Sequence, residues 1–130
     1  MRNSPGVATQ SNKIQVKQDK MMFQNGDIGV IPQEIKNRLN NRTFNNFDEL
    51  RSELWREIGN SKYANEFKKS GQTLMKDGKA PFSTSGRYNI HHKQPIAKGG
   101  GVYDLDNLII VSPKMHKVIL DPKYHFGKKG

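Results

Sequence analysis

Cysteine is absent from this chain of 130 residues. Disulfides and thiolate zinc sites are thereby excluded, so any metal has to be held by His, Asp, Glu or Asn. No run is apolar enough to span a membrane. No secretory signal opens the sequence, which predicts a cytoplasmic protein or export by a route that needs no signal. Acidic residues are scarce: 12 Asp and Glu stand against 22 Lys and Arg, a formal net charge of +10. An excess of that size favours a polyanionic partner. Nucleic acid is the first candidate. An anionic membrane surface is the competitor, and the lack of a basic amphipathic helix with a continuous apolar face weighs against it. Aliphatic residues are sparse at the start: between Met1 and Lys20 they are Met1, Val7, Ala8, Ile14 and Val16. Residues 1–24 therefore read as a flexible arm or linker, and 25–130 as a single domain, with roughly 105 residues to build one modest core.

What is present begins with helices. Pro32 to Leu39 reads as a first helix, with Pro32 early, where its missing N–H costs nothing. Asn46 followed by Glu49 resembles a capping box. From Phe47 the apolar positions Leu50, Leu54, Trp55 and Ile58 recur at helical spacing, and Gly59-Asn60 ends the run. Ser61 is a candidate cap for a third helix carrying Tyr63 and Phe67, with Leu74 and Met75 belonging to it only if it continues through Gly71. Phe82 to Gly86 reads as an exposed loop holding one aromatic ring.

The chemistry lies in the last third. A strand-like run, Arg87-Tyr88-Asn89-Ile90, leads into His91-His92 and a glycine-rich turn, Gly99-Gly100-Gly101. Side chains on a strand alternate faces, so the two adjacent histidines point in different directions. Leu108 to Val111 is a short buried-strand signal. Ser112-Pro113 starts a helix that places His116 in its first turns and stops at Asp121-Pro122. Hydrolysing a phosphodiester needs a base, a cation and groups that hold the phosphate. His92 is the candidate base, and His91 and His116 could hold a divalent ion between strand and helix. Asn107 could fix the loop through backbone hydrogen bonds, and Arg87 and Lys114 are donors for phosphate oxygens.

As a set, these residues resemble a known family. The stretch His91-His92-Lys93-Gln94-Pro95-Ile96, then Gly99-Gly100, Val102-Tyr103-Asp104, Asp106-Asn107, Pro113-Lys114 and His116 is similar to the signature of the nuclease domain of DNase colicins and S-type pyocins, an HNH (ββα-metal) endonuclease. Pro32, Phe44, Phe47-Asp48, Trp55 and Pro81-Phe82 are similar to its helical part, so the resemblance runs from Ile31 to Leu120. It implies an α+β fold, with helices from Pro32 to about Ser70 packed on a ββα-metal module at about 87–120. It implies His92 as general base, Asn107 as the structural asparagine of the catalytic motif, and His91 and His116 as metal ligands. Arg51 and Lys114 match DNA-phosphate positions, beside the Arg87 already noted. Phe82 matches the exosite of a small acidic immunity protein. The implied protein is a monomeric toxin domain, secreted or delivered from its producer, that cuts double-stranded DNA in the target-cell cytoplasm with little sequence preference. A catalytically weakened DNA-binding domain and a mobile-element nuclease without an immunity partner are the alternatives.

The chain departs from the pattern twice. The family's third metal histidine, one turn after the second, is replaced by Leu120. Three readings follow: two histidines with water and phosphate completing the sphere; His125 folding back, or Asp121 standing in, as third ligand; or a weakened site. One divalent ion is implied, with Mg2+, Mn2+, Ni2+ and Zn2+ as candidates, although Zn2+ would lose its preferred closed set of ligands. The second departure is Asn89, where the family often carries a glutamate that orients a phosphate-binding arginine.

Overall fold

Helix α2, Phe47–Gly59, is the spine of the helical half. Asn46 caps it, accepting a hydrogen bond from the Glu49 N–H at 3.0 Å. The Glu49 carboxylate reaches back to Asn45, both to its N–H and to its side-chain amide, one residue earlier than in an ordinary capping box. Phe47, Leu50, Leu54, Trp55 and Ile58 are all buried, and each such side chain contributes roughly 1.5–3 kcal/mol relative to exposure. The structure, a computed structural model, describes residues 4–10, 20–23, 26–83, 86–94 and 102–120, the last four as backbone only.

Helix α1, Gln33–Leu39, follows Pro32 and buries Ile35 and Leu39. The expected third helix is two pieces. Ser61 caps a 3-10 turn, Lys62–Glu66, and a separate helix α3 spans Lys69–Lys76. Gly71 does not interrupt α3. It is buried inside it, and a Cβ there would stand 3.0 Å from the Pro81 side chain. The glycine marks a close packing contact, which periodicity alone does not distinguish from a break.

The sheet extends beyond the expected pair of strands. Strands β2 (Met22–Phe23), β3 (Ile28–Val30), β8 (Leu108–Val111) and β7 (Asn89–His92) lie side by side in that order, each pair antiparallel. Two short pairs complete the architecture: β1 (Gly6–Val7) with β4 (Thr43–Phe44), and β5 (Phe82–Ser83) with β6 (Gly86–Arg87). Phe82 is thus on a short β-pair, and its ring is 54% exposed. Helix α4, Pro113–Leu120, follows β8 directly. The fold is α+β, as the resemblance implies.

The early residues do not stay out of the core. Ala8 and Met21 are fully buried and Met22 nearly so, all three in the same hydrophobic cluster as α1 and α2. The Glu66 carboxylate accepts the N–H groups of Met21 and Met22 at 2.7 and 2.9 Å. Low aliphatic content hid this, because much of the attachment is made by backbone bonds.

An ion pair ties α1 to the segment just before β8. Lys36 of α1 donates to Asp106 at 2.6 Å, and both side chains are largely shielded from solvent. Breaking such a pair leaves one charge uncompensated. Asp106→Ala is therefore expected to lower stability by on the order of 3 kcal/mol, read as a shifted urea midpoint at unchanged slope. A change under about 0.5 kcal/mol would mean that the pair behaves like an exposed one.

Candidate active site

The register of β7 against β8 sets the histidines. His91 lies opposite Ile109 and His92 opposite Leu108. Because neighbours alternate faces, the rings diverge. The His91 ring meets His116 of α4, with centroids 5.7 Å apart and planes at 75°. The His92 ring lies against Phe47 at the start of α2, 4.7 Å between centroids.

The position of His116 depends on how α4 begins. The Ser112 hydroxyl caps the helix, accepting from the Met115 N–H at 3.1 Å. It also donates to the Asp27 carboxylate at 2.7 Å, and the Ser112 N–H donates to the Asp27 carbonyl at 2.9 Å. Asp27, in the turn before β3, therefore anchors the helix that carries His116.

His91 and His116 are suited to one cation. Two imidazoles bound to a single ion at about 2 Å per nitrogen bring their ring centroids to roughly 5–6 Å, the separation found here. Among the described residues no group of three or more His, Asp or Glu is placed to hold a metal ion. His125 and Asp121 lie outside the described residues, and Leu120 is the last residue of α4.

Nε2 of His92 is 3.1 Å from the Val102 carbonyl oxygen. A carbonyl only accepts, so Nε2 carries the proton and Nδ1 carries the lone pair of the neutral ring. Asn107, 9% exposed, ties down the chain after the histidines. Its side-chain oxygen accepts the Gln94 N–H at 2.8 Å and its amide donates to the Gln94 carbonyl at 3.1 Å. Its own carbonyl accepts the Lys93 N–H at 2.7 Å. Over the two residues after His92, Lys93 and Gln94, the backbone is clamped on three atoms.

The three candidate phosphate donors divide between two clefts. Arg51 and Arg87 line a cavity of about 300 Å³ with Lys79, Trp55, Asn89 and Ile90, next to the strand that bears the histidines. Arg51 is half-exposed and pairs with Asp48 at 2.9 Å. The Arg87 guanidinium stacks 4.6 Å above the Phe82 ring. Asn89, which stands where the resemblance expects a glutamate, donates its side-chain amide to the Arg87 carbonyl at 3.3 Å. Lys114 lies apart, on a second cleft of about 490 Å³ shared with Phe82, Ser83, Tyr88 and Asp27.

Burial, and then the Asp27 charge, raise the Tyr88 phenol above its usual range. The folded state thus holds that proton more tightly than the unfolded chain does. The resulting stability is complete below pH 10 and is lost as pH climbs through the folded value.

Sequence reasoning missed Asp27, Phe47 as a neighbour of His92, and the Val102 carbonyl. Asp27 acts through a contact with a residue far along the chain, and a carbonyl has no side-chain signature. The position of Phe47 at the first turn of an amphipathic helix was the one available hint.

Comparison with known proteins identifies the family. The family described as Colicin/Pyocin-S2, DNase domain, matches residues 6–123. Colicin-E7 of Escherichia coli is 36% identical over 124 residues, which is 88% of this chain and 21% of that protein. Pyocin-S2 of Pseudomonas aeruginosa is 33% identical over 123 residues, 88% of this chain and 18% of that protein. The chain therefore spans about a fifth of the length of these bacteriocins. Among solved structures, the pyocin AP41 DNase–immunity complex superposes with a TM-score of 0.79 at 28% identity, covering 92% of this chain and 95% of that one. The nuclease domain of pyocin S8 with its cognate immunity protein gives 0.75 at 31% identity, covering 88% and 98%. The chain belongs to the DNase-domain family of the colicins and pyocins.

Proposed function

We propose that this chain is the DNA-cleaving toxin domain of a bacteriocin, a metal-dependent HNH endonuclease of low sequence preference. The observation that carries the reading is the His91–His92–His116 cluster: two rings at one-ion spacing, and a third, facing away, whose Nε2 is held by a backbone carbonyl. His92 Nδ1 accepts a proton from water as the phosphate is attacked. His91 and His116 would hold one divalent ion, which would supply charge neutralisation at the phosphate and leaving oxygen. Asn107 keeps the loop after His92 in place. Arg51, Arg87 and Lys114 hold backbone phosphates, and the net charge of +10 draws DNA in without reading bases.

Plasmid nicking with Mg2+, Mn2+, Ni2+ or Zn2+, wild type against His92→Ala, tests the reading. Equal behaviour of the two proteins with every ion would end the enzyme hypothesis and leave a DNA-binding domain.

The solved relatives are complexes with immunity proteins. We place such a partner, small and acidic, on the exposed Phe82 face. The partner is expected to be encoded by a short acidic reading frame beside the gene. Phe82→Ala should weaken that complex by about 2 kcal/mol or more, as loss of a central aromatic does, measured by calorimetry. Unchanged affinity would move the interface elsewhere. The domain is delivered from its producer and acts in the target-cell cytoplasm. No helix among the described residues is long and apolar enough to cross a membrane.

A further inference from the structure

The segment ahead of α1 reaches His92 by two routes. The first is through backbone. The Thr9 N–H donates to the Tyr103 carbonyl at 3.0 Å, the Leu105 N–H donates to the Thr9 carbonyl at 2.8 Å, and Thr9 pairs in parallel with Asp104. The Tyr103 hydroxyl donates to the Ser4 carbonyl at 2.6 Å. The carbonyl that meets His92 Nε2 belongs to the peptide unit between Val102 and Tyr103. That unit is planar, so turning Tyr103 turns the carbonyl with it. The second route is through rings. Tyr103 meets Phe47 edge-on at 6.5 Å, and Phe47 meets His92 at 4.7 Å.

The segment is itself fixed on its other side. Ala8 is fully buried, its N–H donates to the Arg42 carbonyl at 2.9 Å, and its carbonyl accepts the Asn41 N–H at 2.8 Å. Gly6 allows the close approach: a Cβ there would stand 2.2 Å from the Tyr103 ring, far inside contact distance. The Tyr103 ring therefore lies directly on the Gly6 backbone.

We propose that residues 4–9 form a positioning strand for the catalytic base: clamped between the α1–β4 connection and residues 103–105, they set the peptide plane whose carbonyl selects the His92 tautomer. This rests on His92 being the base. Among the described residues, the backbone bonds of this segment run to Asn41, Arg42, Tyr103 and Leu105, none of them assigned to phosphate, so its effect is expected on the chemical step and not on DNA binding. Misplacing a reacting group by about 1 Å costs on the order of a hundredfold.

Two variants test this in the 130-residue chain. Gly6→Val drives a side chain into the Tyr103 ring, and Thr9→Pro removes the N–H that Tyr103 accepts. Thermal melts establish which variants fold. Nicking of supercoiled plasmid with each of Mg2+, Mn2+, Ni2+ and Zn2+ then gives kcat and KM. Nitrogen-15 shifts of the His92 ring report its tautomer without any turnover. The expected result is a fall in kcat of about ten- to a hundredfold, KM within twofold, and His92 moving from the Nε2–H form toward a mixture.

Wild-type kcat and unmoved His92 shifts in either folded variant would overturn the proposal. So would a rise in KM at constant kcat, which would make the segment a DNA contact. A wild-type ring that is mainly Nδ1–H overturns it without any variant. His92→Ala run alongside separates the parent reading: if that variant cleaves like wild type, His92 is not the base, whatever the strand does.

Discussion

His92→Ala is expected to slow DNA cleavage by about a hundredfold to ten-thousandfold, the contribution of one positioned general base, while DNA retention on a filter at low salt stays at the wild-type level. The asymmetry follows from geometry. His92 is half-buried against Phe47 and bonded to the Val102 carbonyl, so it supplies none of the exposed charge that attracts phosphate. Retention comes from the basic surface and should fall steeply with salt in both proteins alike. Because His92 is on the opposite face of β7 from His91, its loss should leave cation binding intact. A variant that loses cleavage and metal together would mean that His92 is a ligand and the roles of the doublet are exchanged.

The second large effect concerns the other ring pair. His116→Ala and His91→Ala should each abolish metal-dependent cleavage and weaken divalent-ion binding by more than the roughly 10- to 100-fold typical of outer partners, since on the proposed reading each removes a direct ligand. Titration calorimetry of the isolated domain reads this without DNA. The rings are held from different directions, His91 by the β7–β8 ladder and His116 by the Ser112 cap anchored on Asp27. Neither substitution touches the support of the other ring, so both variants should melt within a few degrees of wild type. His125→Ala is the companion measurement: an unchanged heat of binding leaves two protein ligands standing, and a weakened one makes His125 the third. Binding that survives His116→Ala would sink the His91–His116 site.

Much of the site was readable because its determinants are local. A histidine doublet on a strand diverges by geometry, Ser112-Pro113 announces a helix start, and Asn46 with Glu49 announces another. The Asn107 side chain bonds the Gln94 backbone at both its N–H and its carbonyl, within one loop of the chain. What escaped was long-range. Strands β1, β2 and β3 are two or three residues long, too short for alternation to register. Ala8 and Met21 are buried by backbone pairing with distant segments, which composition does not encode. The 3-10 turn at Lys62–Glu66 buries Tyr63 with fewer residues than an α-helix would use, and no helical spacing signals it.

The strand order β2-β3-β8-β7 also sets a timetable. Ile28 waits for Val111 and Val30 for Ile109, so the middle of the sheet closes only when the late part of the chain has been made. Contacts this far apart in sequence are slow to form, because a long loop must be closed before they stabilise anything. His116 follows that last strand. A ribosome translating this chain therefore carries α1, α2, α3 and the histidine doublet before it carries β8 and His116. The histidine pair that would hold a cation comes into being with the final strand and helix, so a truncated translation product that ends before β8 should be harmless to the DNA of the cell that makes it.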